Sequence, residues 1–323
     1  PGDVVTSRRD LPAPGPHGGD GPAVAAALGL DPATVLDLSQ SLNPVAPDVT
    51  PVVAAHLGAL GTYPDPTAAT AALAGAMGID PARVLLTNGG AQAIALVAAE
   101  LGGRVEEPEF SLHPRSGGPL WRSNPHNPTG VLAAASARAA VWDEAFYPLA
   151  AGTWTRGDAG AIVVGSLTKL LACPGLRVGY VLGDAEVIAR LRARQPAWSV
   201  NALATAALPE LLAATDLPSW SVAIANLRRD LVDVLARHGL SARPSQANWV
   251  LVDAPGLRAE LAPAGIVVRD CASFGLPGTV RVAVPSAEGL ERLDHALASR
   301  DDPGRRTASP EERPPSRPLE RTT

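Results

Sequence analysis

The sequence predicts an α/β fold, with a doubly wound, mostly parallel sheet followed by a smaller α+β C-terminal domain. Stretches typical of strands and helices alternate over residues 22–238, as in proteins whose parallel strands are joined by crossover helices. From residue 248 onward, short strands are separated by short helices, which indicates a second, smaller unit. The length of 323 residues and the apolar fraction of 46% allow both units to bury a core.

The predicted elements follow the order expected for repeated strand–helix units. Short aliphatic runs such as 161–165 (AIVVG) predict buried strands. The helix over 66–77 has Asp65 as its N-cap and Pro66 in its first turn, and both residue types are favoured there. Helices are predicted over 22–29, 66–77, 91–101, 185–194, 202–214, 218–238 and 286–299. Strands are predicted over 83–87, 139–143, 161–165, 176–182, 248–253, 265–269 and 279–284.

These elements divide the chain into four parts. Residues 1–45 form an N-terminal arm that contributes to the small domain, 46–215 form the large domain, and 216–300 form the small C-terminal domain. Residues 301–323 are rich in Pro, Arg and Glu and contain one large aliphatic residue, Leu319. Burial in such a segment cannot offset the entropy lost on ordering, so we expect it to be disordered.

Composition and charge exclude several classes of protein. The net charge of −5 and the pI near 5.7 argue against a nucleic-acid-binding protein. No apolar run reaches the ~18 residues of a membrane-spanning helix, and the segment after Arg8 and Arg9 lacks the apolar stretch of a signal peptide. Cys173 and Cys271 lie far apart, without a Cys-x-x-Cys pair, which predicts a reducing cytoplasmic location and neither a disulfide nor a metal site. Because the chain begins at Pro1 rather than at a methionine, we expect processing or trimming.

One lysine stands out among the cationic residues. Of the 27 basic residues, 26 are arginines and one is Lys169. Arginine can replace lysine at most exposed positions, but it does not lose its proton in a protein and so cannot act as an amine nucleophile. The retained lysine therefore indicates either chance survival on the surface or a site that needs a primary amine, for example to form a Schiff base with a carbonyl cofactor.

The neighbours of Lys169 favour the second interpretation. Ser166 and Thr168 precede it directly after a predicted strand, and Arg177 follows eight residues later. Two hydroxyls and a guanidinium could bind a phosphate beside the amine. The run GSLTKLLACPGLRVGY resembles the lysine motif of fold-type I pyridoxal-phosphate enzymes, in the class I/II aminotransferase superfamily. Within the histidinol-phosphate aminotransferase branch, it is most similar to the threonine-phosphate decarboxylases of cobalamin biosynthesis.

The resemblance implies the aminotransferase fold type I, with pyridoxal 5'-phosphate as a cofactor held by the large domain. Lys169 would form the Schiff base. Asp143, in the sequence DEA, would face the pyridine nitrogen and keep it protonated. Asn127, in the loop NPHNPTG, would bind the ring hydroxyl. The main-chain N–H groups of Gly90 and Ala91 would bind the phosphate at the start of a helix, together with the side chains around the lysine.

Two ring-bearing residues imply further contacts. His113, in PEFSLH, occupies the place of a family tyrosine that stacks on the cofactor ring. Tyr63, in YPDP, resembles the tyrosine that enters the phosphate site of the neighbouring subunit, which implies a homodimer. From the residues alone, a surface histidine and an aromatic residue packed at a helix start remain alternatives.

The predicted substrate contacts come from both ends of the chain. Arg281, in GTVRV, resembles the arginine that binds the α-carboxylate of the substrate, and a planar guanidinium suits that bidentate contact. Arg269 is a weaker candidate in the same domain. His17 and Gly18, in HGGD, resemble an N-terminal HGGN that helps to bind a substrate phosphate, and Asn127 would also contact the substrate. Together these residues imply a small amino-acid phosphate as the substrate.

The expected reaction follows from the resemblance. The cofactor accepts electrons from whichever bond to the substrate Cα is broken, and the protein selects that bond by orienting the substrate. The segment QPAWSVN at 195–201 resembles that of the decarboxylases, so we expect L-threonine O-3-phosphate to be decarboxylated to (R)-1-amino-2-propanol O-2-phosphate in cobalamin biosynthesis. The alternative is amino transfer of the histidinol-phosphate type.

A second alternative is a catalytically degenerate homologue that acts as a partner protein. The stretches over 109–123 and 131–142 are shorter than those of the family. Because a crossover between parallel strands needs a dozen or more residues, at least one strand–helix unit is missing or reduced, and the central segment is shortened. Phe146 and Ser41 also replace a tyrosine and an asparagine that are usual in the family. The retained lysine and aspartate speak against degeneracy.

Overall fold

The computed structural model describes residues 11–301, which form two sheets and one short strand pair with helices packed around them. The strands are β1 (Leu36–Asp37), β2 (Val84–Thr87), β3 (Trp121–Ser123), β4 (Val141–Asp143), β5 (Ile162–Ser166), β6 (Gly179–Leu182), β7 (Trp249–Asp253), β8 (Ile266–Val267), β9 (Arg269–Asp270) and β10 (Thr279–Ala283). The α-helices are α1 (Gly21–Leu28), α2 (Thr50–Ala55), α3 (Thr67–Met77), α4 (Gly89–Leu101), α5 (Tyr147–Ala151), α6 (Leu167–Leu170), α7 (Ala185–Arg194), α8 (Ala202–Ala213), α9 (Leu217–Arg237), α10 (Leu257–Leu261) and α11 (Ala287–Asp301). Short 3₁₀ helices cover Pro32–Thr34, Leu57–Gly61, Pro81–Arg83, Ala262–Ala264 and Ala272–Phe274.

The large sheet has the strand order β2-β6-β5-β4-β3. Strands β3, β4 and β5 are parallel neighbours, whereas β6 lies antiparallel between β5 and β2. All of its strands except β6 therefore run in the same direction. The predicted α/β fold with a mostly parallel sheet is confirmed.

Helices cover both faces of the large sheet. Val163 of β5 packs into a core on one face with Leu73 of α3. Its neighbour Val164 packs on the other face with Ile94 of α4 and Leu191 of α7. Successive side chains of a strand point to opposite faces, so a strand covered on both sides is apolar at every position. This accounts for the continuous aliphatic run of β5 and for the doubly wound arrangement.

A smaller antiparallel sheet, with the order β7-β10-β9, forms the C-terminal part. Val250 of β7 and Val282 of β10 share a core with Leu293 of α11. The N-terminal part contributes β1, which pairs in parallel with β8 and places Leu36 opposite Ile266. The predicted smaller C-terminal domain with mixed helices and strands is therefore present.

Helix α9 belongs to both cores. Trp220 and Ile224, in its first turns, pack in a core of the large sheet. Leu231 and Leu235, two turns further on, pack in the core of the small sheet. The predicted limits of the domains at 45/46 and 215/216 stay predictions.

The short elements are where the sequence was least informative. Helix α3 begins at Thr67 with Pro66 as its N-cap, and Asp65 accepts a hydrogen bond of 2.9 Å from the Thr67 amide. The predicted strand over 265–269 is divided into β8 and β9. Elements β1, β3, α2, α5, α6 and α10 were not predicted; they have two to six residues, too few for a period of 2 or 3.6 to be recognised.

The connection from α4 to β3, here called the 102–120 loop, is compact. It contains no helix or strand, only isolated bridges such as the one that joins Gly103 to Gly117. Arg115 braces it, because its Nε donates to the Glu107 carboxylate over 2.6 Å and its Nη1 donates to the His113 carbonyl oxygen over 2.7 Å. The shortened central segment thus takes the form of a cross-braced loop.

Helix α11 ends at Asp301, and the rest of the segment predicted to be disordered lies outside the described residues. Among residues 11–301, no helix combines the length and the apolar character needed to cross a membrane.

Candidate active site

A cavity of about 380 Å³ lies where β3, β4 and β5 end, the edge at which parallel sheets usually bind ligands. The N-terminal arm and the small sheet complete its wall. Most residues predicted for the site line this cavity: His17, Gly18, Gly90, Ala91, Asn127, Asp143, Ser166, Thr168, Lys169, Arg177, Arg269 and Arg281. The predicted residues His113 and Tyr63 are not among its lining residues.

Lys169 lies on α6, which follows β5 without an intervening loop. Its Nζ donates a hydrogen bond of 2.9 Å to the carbonyl oxygen of Gln40. Burial, together with the nearby positive charges of Arg281, Arg269 and Arg177, lowers the pKa of Lys169 to about 8. A larger fraction of this amine is therefore neutral near pH 7 than for an ordinary lysine, which favours attack on a carbonyl.

An anion cradle is formed where β2 meets α4. Gly89 has φ +72°, and a Cβ at this position would lie 2.4 Å from Nη2 of Arg177. Only glycine combines that backbone conformation with so close an approach of the guanidinium. Gly90, whose Cβ would lie 3.3 Å from that of Ser166, brings the first turn of α4 against the end of β5. The N-terminus of α4, the Ser166 hydroxyl and the Arg177 guanidinium therefore lie close together. These are groups that can bind a phosphate. The Thr168 hydroxyl is directed at the carbonyl oxygen of Val178, 3.4 Å away.

Asp143 ends β4 and presents its carboxylate to the cavity. One oxygen, Oδ1, accepts a hydrogen bond of 3.0 Å from the Ala145 amide, and Oδ2 lies 2.9 Å from Nε2 of His113. The side chain of His113 is fully buried and lies behind Asp143. The predicted stacking of His113 on a cofactor ring is therefore corrected, because the short 102–120 loop turns this imidazole into the core. Phe110 and Leu112 of the same loop line the cavity instead.

Glu144, next to Asp143, is fully buried and faces away from the cavity. Its carboxylate accepts hydrogen bonds of 3.2 Å from the Arg156 amide. Burial, reinforced by the charge of Asp158, raises the pKa of Glu144 from 4.5 to about 7. This carboxyl therefore binds a proton in the folded protein under conditions in which it is ionised in the unfolded chain.

This proton makes stability depend on pH. Because the folded pKa exceeds the unfolded one, the contribution of Glu144 is full below pH 4.5 and is lost as the pH rises through about 7. The loss amounts to about 3 kcal/mol of unfolding free energy at most. We expect Glu144→Gln to remove this part of the decrease in unfolding free energy between pH 5 and pH 8. Urea unfolding at the two pH values measures it. Glu291→Gln, at an exposed position, is the control, and equal pH slopes for Glu144→Gln and wild type would contradict the expectation.

Asn127 lies in the loop after β3 and connects the two sheets. Its Oδ1 accepts a hydrogen bond of 3.0 Å from Nη1 of Arg281 on β10. The loop is fixed on both sides, since Trp249 Nε1 donates to the Pro128 carbonyl oxygen over 2.8 Å and His126 Nε2 contacts the Pro108 carbonyl oxygen over the same distance. These contacts hold Asn127 at the cavity wall.

Arg281 and Arg269 are directly opposite each other on β10 and β9. Both are 2% exposed, and the Nε of each has no hydrogen-bond partner within the described residues. Arg269 donates to the carbonyl oxygens of Pro16 and His17, at 2.7 and 3.2 Å, but neither arginine has an ion-pair partner among residues 11–301. Burial, and next the charge of Arg269, lowers the pKa of Arg281. Two adjacent buried like charges are unfavourable, so this pair is prepared for an anionic ligand.

The N-terminal arm crosses the cavity through His17 and Gly18. A Cβ at Gly18, which has φ +77°, would lie 2.4 Å from the Ser39 carbonyl oxygen, so this approach requires glycine. The amide of Gly19 donates to Ser39 Oγ over 2.7 Å. His17 meets the edge of the Phe110 ring at a centroid distance of 5.9 Å. The arm therefore joins the 102–120 loop above the cavity.

Tyr63 lies on the surface, away from the cavity. Its side chain stacks on Trp198 with ring centroids 4.6 Å apart, and the two residues are 77% and 62% exposed. The structure does not bring Tyr63 to the phosphate cradle of its own chain. Tyr63 could contribute to a phosphate cradle only in a neighbouring subunit.

Sequence reasoning missed residues that carry no local motif. The carbonyl of Gln40, the ring of Phe110 and the ring of Trp249, which lies 4.9 Å from the Arg281 guanidinium carbon, depend on tertiary contacts. Only Phe110 had a signal, because it is a second ring in the same PEFSLH run as His113.

The fold and cavity are those of a pyridoxal-phosphate enzyme, and comparison with known proteins identifies the family. The family model described as "Aminotransferase class I and II" matches residues 114–298, so the chain belongs to the class I and II aminotransferases, as predicted. Histidinol-phosphate aminotransferase from Symbiobacterium thermophilum is 30% identical over 81% of this chain and 90% of its own length. Histidinol-phosphate aminotransferase 1 from Thiobacillus denitrificans is 28% identical over 87% and 90%.

Solved structures agree on the fold. Histidinol-phosphate aminotransferase from Sinorhizobium meliloti, in complex with pyridoxal-5'-phosphate, has a TM-score of 0.73 at 18% identity and covers 93% of this chain and 98% of its own. L-threonine-O-3-phosphate decarboxylase from Porphyromonas gingivalis has a TM-score of 0.70 at 21% identity and covers 82% and 99%. Fold type I is therefore confirmed.

The family uses pyridoxal 5'-phosphate, which confirms the predicted cofactor. The residues present fit it. An amine with a lowered pKa, a glycine cradle that an added Cβ would fill, and a carboxylate at the end of β4 all line one cavity.

Proposed function

We propose that this chain is a pyridoxal-phosphate-dependent enzyme that transfers the amino group of a small phosphorylated amine, of the histidinol-phosphate type. The observation that carries the proposal is that Lys169 shares its cavity with Arg281 and Arg269, two buried cations without carboxylate partners in the described part of the chain. Such a cavity suits a substrate with an amine and an anionic group. The histidinol-phosphate aminotransferases among the relatives support this choice.

Each residue has a proposed task. When bound, the cofactor accepts the electrons of the bond that breaks at the substrate Cα. The Lys169 amine holds the cofactor carbonyl and moves the proton at Cα. The Asp143 carboxylate keeps the pyridine nitrogen protonated, while Arg177 and the start of α4 bind the cofactor phosphate. Arg281 orients the anionic group of the substrate.

The second candidate is decarboxylation of L-threonine O-3-phosphate, and the observation in its favour is that the cavity holds two buried arginines rather than one. Threonine phosphate has two anionic groups, a carboxylate and a phosphate, whereas histidinol phosphate has only the phosphate. Arg281 and Arg269 are opposite each other on β10 and β9, and the Nε of each has no partner among residues 11–301. His17, whose carbonyl oxygen accepts from Arg269, and Gly18 line the same cavity. Two adjacent cations can serve two anionic groups of one substrate.

One experiment separates the two reactions. The protein with pyridoxal 5'-phosphate is incubated with histidinol phosphate and 2-oxoglutarate, and separately with L-threonine O-3-phosphate. Formation of glutamate supports amino transfer, and release of CO2 without a keto acid supports decarboxylation. Neither product from a protein that binds the cofactor would contradict both and favour a degenerate partner protein.

We also propose a homodimer in which Tyr63 completes the neighbouring site. The exposed stack of Tyr63 on Trp198 is the support, because aromatic side chains are enriched in the buried cores of protein interfaces. Light scattering after size-exclusion chromatography is expected to give twice the chain mass. We expect Tyr63→Ala to weaken cofactor binding, and a monomer with unchanged affinity in both proteins would contradict the proposal. The cytoplasmic location stays a prediction.

A further inference from the structure

Two buried ionisable residues behind Asp143 have no task in the proposed function. Glu109 and His113, both on the 102–120 loop, are 4% and 3% exposed. Nε2 of His113 lies 2.9 Å from Oδ2 of Asp143, and Nδ1 lies 3.4 Å from Oε2 of Glu109. The first contact is a hydrogen bond, and the second has the distance of an ion pair without full hydrogen-bond alignment. A carboxylate, an imidazole and a carboxylate are thus aligned toward the cavity.

The carboxylate of Glu109 is held in place by three hydrogen bonds. Glu109 accepts hydrogen bonds from the Ser123 amide over 2.7 Å, from the Ser123 hydroxyl over 2.6 Å and from the Phe110 amide over 3.0 Å. Burial pushes the pKa of Glu109 upward, but its contact with His113 and its hydrogen bonds from Ser123 hold the pKa below the usual value. Glu109 is therefore ionised although it is buried.

The imidazole between the carboxylates is charged for the same reason. Burial pushes the pKa of His113 downward, but Asp143 and Glu109 together raise it to about 9. The rings of Phe110 and Trp121 enclose it at centroid distances of 5.7 and 5.6 Å and exclude water. Arg115, which is also charged, donates to the main-chain carbonyl oxygen of His113 over 2.7 Å.

We propose that Glu109 and His113 are positioning residues that hold the Asp143 carboxylate ionised and in one orientation toward the cavity. The inference rests on the proposed function, in which Asp143 binds the pyridine nitrogen. With Glu109 ionised and His113 protonated, the three groups have a net charge of −1, so their field favours a cation in front of Asp143. Without Glu109 the remaining pair would be neutral, and the imidazole would be free to lose its proton.

The first test needs no cofactor. The protein is labelled with ¹⁵N-histidine, and the ring signals of His113, assigned through His113→Gln, are followed against pH. In wild type we expect the doubly protonated form to persist to about pH 9. In Glu109→Gln we expect the midpoint to fall by at least one pH unit, and in Glu106→Gln, a control at an exposed carboxylate of the same loop that pairs with Arg122, we expect no change. A wild-type midpoint at or below pH 6.5, or no shift in Glu109→Gln, would overturn the inference.

The second test separates this inference from the proposed function. The dissociation constant of pyridoxal 5'-phosphate and the pH dependence of its bound absorption spectrum are measured for Asp143→Asn, Glu109→Gln, His113→Gln and the control Glu106→Gln. We expect Glu109→Gln and His113→Gln to weaken binding about tenfold, as for a lost partner of a binding group, and to shift the spectral pH profile, which a merely structural role would not do. If Asp143→Asn binds the cofactor more weakly while Glu109→Gln and His113→Gln match wild type, this inference is wrong but the proposed role of Asp143 stands. If Asp143→Asn also matches wild type, the proposed role of Asp143 fails. Where Glu109→Gln does not fold, the titration of His113 in wild type decides.

Discussion

Lys169→Ala is expected to abolish catalysis, with a fall in kcat of roughly 10⁴-fold or more, because the variant loses both the amine that holds the cofactor and the base at Cα. The chain has no second lysine to take over. The measurement is the rate with whichever of the two proposed substrates the wild-type protein converts. It is combined with borohydride reduction and mass spectrometry of the digested protein. In wild type the reduced cofactor should be found on the Lys169 peptide.

Lys169→Arg is the matched control for this prediction. It keeps the positive charge in the cavity but not an amine that can lose its proton, so we expect it to be as inactive as the alanine variant. Circular dichroism should show that both variants are folded. Activity above a hundredth of wild type in either variant would contradict the assignment of Lys169.

Arg281→Met is expected to lower kcat/KM by roughly 10²–10³-fold, mainly through KM. The variant leaves the anionic group of the substrate without its buried partner, a loss of about 2–5 kcal/mol. The unfolding free energy of the cofactor-free protein should be unchanged or higher by about 1 kcal/mol, because one of two adjacent buried like charges is removed and a side chain of similar length remains. Steady-state kinetics and urea unfolding measure the two effects.

The control for Arg281 is Arg243→Met. Arg243 is paired with Asp253 over 2.6 Å at a partly exposed position of the small sheet. Such a pair contributes about 0.5 kcal/mol or less, so the variant should keep both its KM and its stability. A KM of Arg281→Met within twofold of wild type would show that Arg281 does not bind the substrate.

The sequence predicted the residues of the cavity well where a motif lies at the end of a strand. Asp143 ends β4, Lys169 follows β5 and Asn127 follows β3, so the parallel arrangement alone brings them together. Arg281, predicted from its resemblance to a family motif, also lines the cavity, because the small sheet presents β10 there. For these residues, the local motif and the strand topology both predict a position at the cavity.

The orientation of His113 could not be predicted in the same way. Its motif gave its place in the chain, but the direction of its side chain depends on the cross-braced 102–120 loop and on a buried Glu109. Likewise, the contact between Lys169 and the Gln40 carbonyl joins segments that are 129 residues apart. Such contacts are decided by tertiary packing, which one sequence does not encode in any local pattern.

The position of the one lysine also makes the cavity unusually accessible to spectroscopy. Lys169 Nζ is the only side-chain ammonium group of the chain, and it lies in the cavity against a carbonyl oxygen. Protein grown on ¹⁵N-labelled lysine would therefore give a single side-chain ammonium resonance, free of overlap. Its chemical shift would report directly on the proton of that one nitrogen, and would change when a ligand enters.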